Sequence, residues 1–133
     1  IDHDSSHPCP VAGSVALALS IELALDGEKQ SLDYEADGEI IHAACAFVED
    51  GVTLTVDGDP NLEFHADISA TAGTPGPYTV TADGALNWTA SDGRHGRCRI
   101  DITSVTDFVA RSRTVSGEVC GHTIRQTVTW QAD

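Results

Sequence analysis

Four cysteines carry the most definite chemistry in this chain: Cys9, Cys45, Cys98 and Cys120. An even number at wide spacing in a small acidic protein predicts two disulfides and a secreted, extracellular or cell-surface location. The absence of a C-x-x-C motif argues against a zinc ribbon or a thioredoxin-type redox site. The sequence does not choose among the three possible pairings, although nearest-neighbour closure in a β meander favours Cys9–Cys45 with Cys98–Cys120.

The first three residues form a candidate copper site. If Ile1 is the mature terminus, Ile1-Asp2-His3 presents a free amine and a third-position imidazole around two backbone amides. Four nitrogens in one plane are a geometry that Cu(II) and Ni(II) favour. The competing interpretation is a polar tail in which the histidine is incidental.

A second candidate metal site lies at 57–61, where DGDPN has the D-x-D-x-N opening of a calcium loop. An EF-hand is excluded, because the next glycine is missing and the closing glutamate would be Ile68. We predict a looser Ca²⁺ site formed by Asp57, Asp59 and Asn61. The alternative interpretation of the same residues is an ordinary acidic turn.

Catalytic motifs are missing from the chain. It contains no G-x-S-x-G elbow, Gly-rich phosphate loop or H-E-x-x-H, so we predict that it is not an enzyme. The triplet N-W-T makes Asn87 an acceptor for N-glycosylation. Carbohydrate binding would require exposed aromatic platforms. Trp88 and Trp130 are each in phase with apolar neighbours, which predicts core positions for both.

Short β-type runs separated by turn residues indicate how the chain is organised. Asp-Gly, the strongest short hairpin signal, occurs six times. Residues 71–77, with two Pro and two Gly, are predicted to form a loop. Runs that recur about every 8–12 residues predict an antiparallel sandwich or barrel. The predicted strands are 31–36, 39–48, 52–56, 61–70, 78–82, 85–90, 98–105, 114–120 and 123–130.

The segment from Val15 to Leu25 has the clearest periodicity. Every second residue is apolar, which predicts a strand rather than a helix. Extended through Gly13 and Val11, the strand spans about 50 Å at 3.3 Å per residue, whereas a domain of this size is about 36 Å across. It must bend, change sheets at Gly13, or project into a neighbour as an assembly strand. Its apolar positions are Val15, Leu17, Leu19, Ile21, Leu23 and Leu25.

Residues 40–48 are apolar on both faces of a predicted strand. Such a strand lies centrally in a sheet or is covered by another subunit. His42 is its one interruption, and we predict a core histidine with its hydrogen bonds satisfied.

Charge is distributed unevenly along the chain. Residues 1–67 hold 15 acids and one lysine, whereas residues 68–133 hold six acids and six arginines. The net charge of −14 argues against nucleic acid or an anionic membrane as a partner, and no apolar stretch is long enough to span a bilayer. In a head-to-tail contact, the acidic half of one subunit would attract the arginine-bearing half of the next. The alternative is a solvated acidic face with local arginine pairs.

These observations predict an all-β protein: an antiparallel, immunoglobulin-like β-sandwich of eight to ten strands, stapled by disulfides. A polar N-terminal arm (1–10) precedes a single domain (11–133). The architecture resembles the broad class of secreted immunoglobulin-like sandwiches, which includes adhesin modules and pilus subunits. We therefore expect a structural or adhesive subunit of an extracellular filament or pilus-like fibre formed by strand sharing. The alternative is a monomeric secreted binding module for carbohydrate or for a metal ion such as Cu(II) or Ca²⁺, and no other cofactor is expected.

Overall fold

The computed structural model describes residues 1–131, so the last two residues of the predicted domain lie outside it. The predicted all-β, antiparallel class is confirmed, and nine strands fall within the expected range. They are β1 (Asp2–Pro8), β2 (Ala12–Asp26), β3 (Ser31–Glu49), β4 (Val52–Gly58), β5 (Leu62–Thr71), β6 (Thr74–Ala90), β7 (His95–Asp107), β8 (Ser112–Val119) and β9 (His122–Thr129).

All nine strands belong to one antiparallel sheet in the order β1-β2-β3-β4-β6-β7-β8-β9. β5 continues the path of β4, because β3 and β6 each pair with β5 over one half of their length and with β4 over the other. The sheet is therefore a meander of eight lanes, counting β4 and β5 as one, with β1 and β9 at its edges. Packing of these strands as an immunoglobulin-like sandwich stays a prediction.

The long N-terminal strand has the length that its periodicity predicts. β2 contains 15 residues and pairs with β3 from end to end. Its register shifts between Ala12 and Ser14, where Gly13 adopts a φ of 73°. A β-bulge of this kind bends a strand, and glycine is the residue that tolerates a positive φ. The predicted change of direction at Gly13 is therefore a bulge within one sheet.

The polar arm is not a tail in this structure. Its residues form β1, which pairs with β2 from Asp2 opposite Ser20 to Pro8 opposite Ser14. No strand signal is present at residues 2–8, because β1 is rich in charged and small polar residues. An edge strand tolerates such residues, since its side chains are open to solvent.

Two of the predicted turns lie inside strands. Asp37-Gly38 is part of β3 and Asp83-Gly84 is part of β6, so each of these strands replaces two predicted ones. Gly38 pairs with Phe64, and a Cβ at Gly38 would meet the aromatic ring. The glycine is thus used for a close cross-strand contact rather than for a turn.

The predicted loop at 71–77 is also wrong. The chain reverses within Ala72-Gly73, whose φ angles of 51° and 81° are those of a tight hairpin turn, and Thr74 already begins β6. Pro75 pairs opposite Ala70, next to a register shift in the β5–β6 ladder. Prolines are tolerated at such irregular positions.

The three predicted core residues do not all lie as expected. Trp130 follows the edge strand β9 and is 41% exposed, because β9 has a neighbouring strand on one side only. Trp88 is half-buried and pairs with Gly96. His42 lies on β3, an interior strand of the sheet, but its buried Nδ1 has no hydrogen-bond partner among residues 1–131. The prediction of a satisfied histidine is therefore wrong for that nitrogen.

Both favoured disulfides are present. Cys9 in the β1–β2 turn is bonded to Cys45 on β3, with their Cα atoms 5.5 Å apart. Cys98 on β7 is bonded to Cys120, which directly follows β8, with a Cα–Cα distance of 4.3 Å. The first bridge fastens the edge hairpin to the middle of the sheet, and the second fastens two neighbouring strands at their ends. No free cysteine remains.

Candidate functional site

One face of the sheet carries most of its acids. Residues directly opposite each other on paired strands lie on the same face, so the registers identify the members of each face. We call this one the acidic face. Its carboxylates are Asp2, Asp4, Glu22, Asp26, Asp33, Glu35, Asp37, Glu39, Asp57, Glu63, Asp67, Asp83, Asp101, Asp107 and Glu118.

Five of these carboxylates form a continuous row across the sheet. Glu39 is opposite Glu63, Glu63 opposite Asp83, Asp83 opposite Asp101, and Asp101 opposite Glu118. Like charges in directly opposed positions destabilise a sheet, by roughly 0.2–1 kcal/mol for a pair. We call this set the carboxylate row.

Two donors reach the carboxylate row from the polar surface beside it. Arg99 Nη2 donates to Asp83 Oδ1 at 2.7 Å, and Asn61 Nδ2 donates to Glu39 Oε1 at 2.9 Å. The arginine lies on β7 and its partner Asp83 on β6, so both members of this ion pair belong to residues 68–133 and the arginine is paired within its own half of the sequence. This agrees with the local pairing that the sequence left as an alternative.

Beside the row, His65 lies among three carboxylates. His65 Nδ1 is 2.6 Å from Asp37 Oδ1, and its Nε2 is 3.1 Å from Asp67 Oδ2 and 3.5 Å from Glu35 Oε1. The hydrogen bond to Asp37 and the charges of the neighbouring carboxylates raise the pKa of His65 above its ordinary value of 6.5. Protonated His65 supplies the positive charge of this cluster.

The cluster borders an open depression of about 650 Å³ on the acidic face, whose lining includes Asp2, Asp37, Glu63, His65 and Asp83. Donor atoms of Glu35, Asp37 and His65 all lie within 4.8 Å of one another. Carboxylate oxygens and an imidazole nitrogen are ligands for divalent cations. A cation bound there would compete with the proton on His65, so the arrangement is chemically able to exchange one for the other.

Sequence reasoning did not single out this cluster. The signal present in the sequence was the alternation of acids at 33, 35, 37 and 39 and the polar alternation at 63, 65, 67 and 69. Alternation places each set on one face of its own strand. That the two sets face each other depends on the β3–β5 register, in which Asp37 is opposite His65.

The terminal amine of the predicted copper site is already hydrogen-bonded to β2. The Ile1 ammonium donates to the carbonyl oxygen of Ile21 at 2.9 Å, and the Ile1 carbonyl accepts from the Ile21 amide. His3 is exposed and pairs opposite Leu19 within the β1–β2 ladder. Copper coordination by the amine, the amides and His3 stays a prediction, and it would require this end of β1 to leave the sheet.

Of the predicted calcium residues, Asp57 lies near the end of β4, and Asp59 and Asn61 lie in the connection to β5. Asp57 Oδ1 accepts from the Ala44 amide at 2.7 Å, and Asp59 Oδ2 accepts from Asn87 Nδ2 at 2.8 Å. The Asn61 amide instead bonds to Glu39. The three side chains thus hold three different partners, and a calcium site formed by them stays a prediction.

The predicted glycosylation residue lies inside the sheet. Asn87 is half-buried on β6, between Asp57 on β4 and Arg97 on β7, and its amide nitrogen is the donor to Asp59. Glycosylation at Asn87 stays a prediction, although the acceptor nitrogen is occupied in the folded chain.

The predicted assembly strand, Val15 to Leu25, lies within its own sheet. β3 pairs with it along its whole length, and β1 pairs with it from Ser14 to Ser20. Both of its edges are therefore largely occupied by strands of the same chain.

Comparisons of this chain with protein-family models, with curated proteins and with solved structures gave no match. No helix long and apolar enough to cross a membrane occurs between residues 1 and 131. Two disulfides fit a compartment outside the reducing cytosol.

Proposed function

We propose that this protein is a structural or adhesive subunit of an extracellular assembly, in which subunits join head to tail through the two edges of the sheet. The observation that best supports this proposal is the open eight-lane meander, which ends in β1 on one side and β9 on the other. Edge strands present unpaired N–H and C=O groups that a strand from a neighbour satisfies.

The number of lanes supports head-to-tail addition. With eight antiparallel lanes, β9 runs opposite to β1. A second copy in the same orientation therefore brings its β1 antiparallel to β9 of the first copy. The two edge strands are nearly equal in length, at seven and eight residues. Such a contact does not close on itself, and it continues as an open fibre.

Charge supports the same pairing. β1 contributes Asp2 and Asp4 to the acidic face, and β9 contributes Arg125 to that same face. In a β9–β1 contact these side chains lie next to each other, and opposite charges attract. A contact between two β1 edges would bring aspartates together, and a contact between two β9 edges would bring arginines together. Such like-charge contacts suppress both of these alternatives.

Edge addition replaces the strand-sharing route through β2 that the sequence favours. Inserting β2 into a neighbour would break its ladders to β1 and β3, whereas addition through β1 breaks none. The two disulfides support the secreted location, because bridges persist in oxidising compartments.

A charge-reversal series tests the β9–β1 contact. Native protein should sediment as polymers and form fibres in electron micrographs. Arg125→Glu and Asp2→Lys should each weaken polymerisation, and the double variant should recover it, because the ladders place Arg125 and Asp2 in the same row across the sheet and opposite charges again face each other at every junction. Lys29→Glu is the matched control, since it makes the same charge change in the exposed β2–β3 turn.

The alternative function predicts a different result. A secreted binding module for a metal ion or a carbohydrate would be uniformly monomeric at high concentration, and the native protein and all four variants would sediment identically. The cluster around His65 is the observation that favours a cation as the ligand. Calorimetric titration of the monomer with Ca²⁺ and Zn²⁺, compared with His65→Gln, would then examine that function.

A further inference from the structure

The face opposite the acidic face is apolar, and we call it the apolar face. Next to the carboxylate row, one position along each strand, runs a row that includes Leu19, Phe64, Ala82, Ile102 and Ile124. The same alternation repeats on both sides of that row. Such a sheet is amphipathic, with water favoured on one face and apolar contact on the other.

No segment within residues 1–131 covers the apolar face as a core would. No large side chain of the described residues is fully buried, and the buried apolar positions are small: Ala36, Cys45, Ala46, Ala66 and Ala85. On the apolar face, Leu23 is 61% exposed, Leu25 is 75% exposed and Val128 is 51% exposed.

The total surface gives the size of the uncovered area. The chain exposes 8684 Å², whereas a compact monomer of 14.0 kDa exposes about 6,700 Å². The excess of about 2,000 Å² for each chain is comparable to what one partner contributes to a large obligate homodimer, which buries about 2,000–5,000 Å² in total.

Charge determines which faces of two copies are able to meet. Each copy carries a net charge of −14, and fifteen of its 21 Asp and Glu side chains lie on the acidic face. Stacking the apolar faces directs both acidic faces outward. The sheets would then be separated by the usual 10 Å or so, beyond the Debye length of about 8 Å at physiological salt. Stacking the acidic faces would oppose like charges at close range.

We infer that the apolar face packs against the apolar face of a second copy, so that two single sheets form one two-layer sandwich. A two-fold axis through the contact makes it self-complementary, and the strands of the two sheets would cross at about 30°. This pairing goes beyond the proposed function, because it uses a face of the sheet and leaves both edges free for polymerisation.

The test uses two double variants on the same strand. Leu23→Lys/Leu25→Lys places two charges on the apolar face, and Ser20→Lys/Ala24→Lys places two on the acidic face. All four positions are exposed in the single chain, so both variants should fold equally well. Each is made in the Arg125→Glu background, which removes the proposed edge contact, and is studied by sedimentation equilibrium.

The parent and the Ser20/Ala24 variant should be dimers. The Leu23/Leu25 variant should dissociate at least about 100-fold more readily, because a buried leucine strengthens association by about tenfold or more and each occurs twice in a symmetric contact. A monomeric parent at about 100 µM, or equal dissociation of the two variants, would overturn the inference.

Discussion

Removing the Cys98–Cys120 disulfide should lower the free energy of unfolding by about 3.4 kcal/mol. The bridge spans 22 residues, and cross-linking a loop of that length removes conformational entropy from the unfolded chain, which gives about 3.4 kcal/mol at 25 °C. The same relation gives about 3.8 kcal/mol for the 36-residue span of Cys9–Cys45. Both values are large beside a total domain stability of about 5–15 kcal/mol.

The structure gives a reason to expect the full effect. Because no large side chain is fully buried among the described residues, apolar burial within one chain contributes less than in a compact domain. The two bridges therefore account for a larger share of the stability of the isolated chain.

Urea unfolding of Cys98→Ala/Cys120→Ala and of Cys9→Ala/Cys45→Ala, followed by tryptophan fluorescence, measures these losses. Dilute samples keep self-association out of the measurement. Wild-type protein with both bridges reduced is the control, and it should lose about as much as the two double variants together. A loss under about 1 kcal/mol for either bridge would refute the loop-entropy reasoning for this sheet.

Three further measurements address the acidic face and the close glycine contact. His65 should titrate above pH 6.5 in an NMR experiment, Asp37→Asn should lower that midpoint, and a midpoint at or below 6.5 would contradict the cluster geometry. The stability that protonated His65 provides is complete below about pH 6.5 and is lost as the pH rises through the raised pKa of His65. Glu63→Gln should raise the free energy of unfolding by about 0.2–1 kcal/mol, since it removes a charge opposed on both sides, and the gain should shrink at 1 M salt. Gly38→Ala should cost about 1–3 kcal/mol, because the new methyl group meets an aromatic ring, whereas Gly27→Ala has open space and should change stability by less than about 0.5 kcal/mol.

The sequence by itself determined the features that depend on local pattern. Strict alternation from Val15 to Leu25, extended through Gly13 to Val11, predicted a strand of the length that β2 has, and the spacing of four cysteines favoured the two bridges that form. Both signals are carried by residues near one another in the chain or by the closure of short loops. The order of residues in the chain also determined how charge is distributed across the sheet, because in a meander strands that follow one another in the sequence lie next to one another in the sheet.

Only the tertiary structure decided which side chains from different strands lie next to one another. Glu39, Glu63, Asp83, Asp101 and Glu118 lie about 20 residues apart in the chain, and only the registers of four successive ladders align them in one row. The same registers set His65 opposite Asp37, and they keep Asp37-Gly38 inside a strand where local rules predict a turn. The physical reason is that alternation fixes the face of each residue within its own strand, whereas the neighbour across the ladder depends on every hairpin in between.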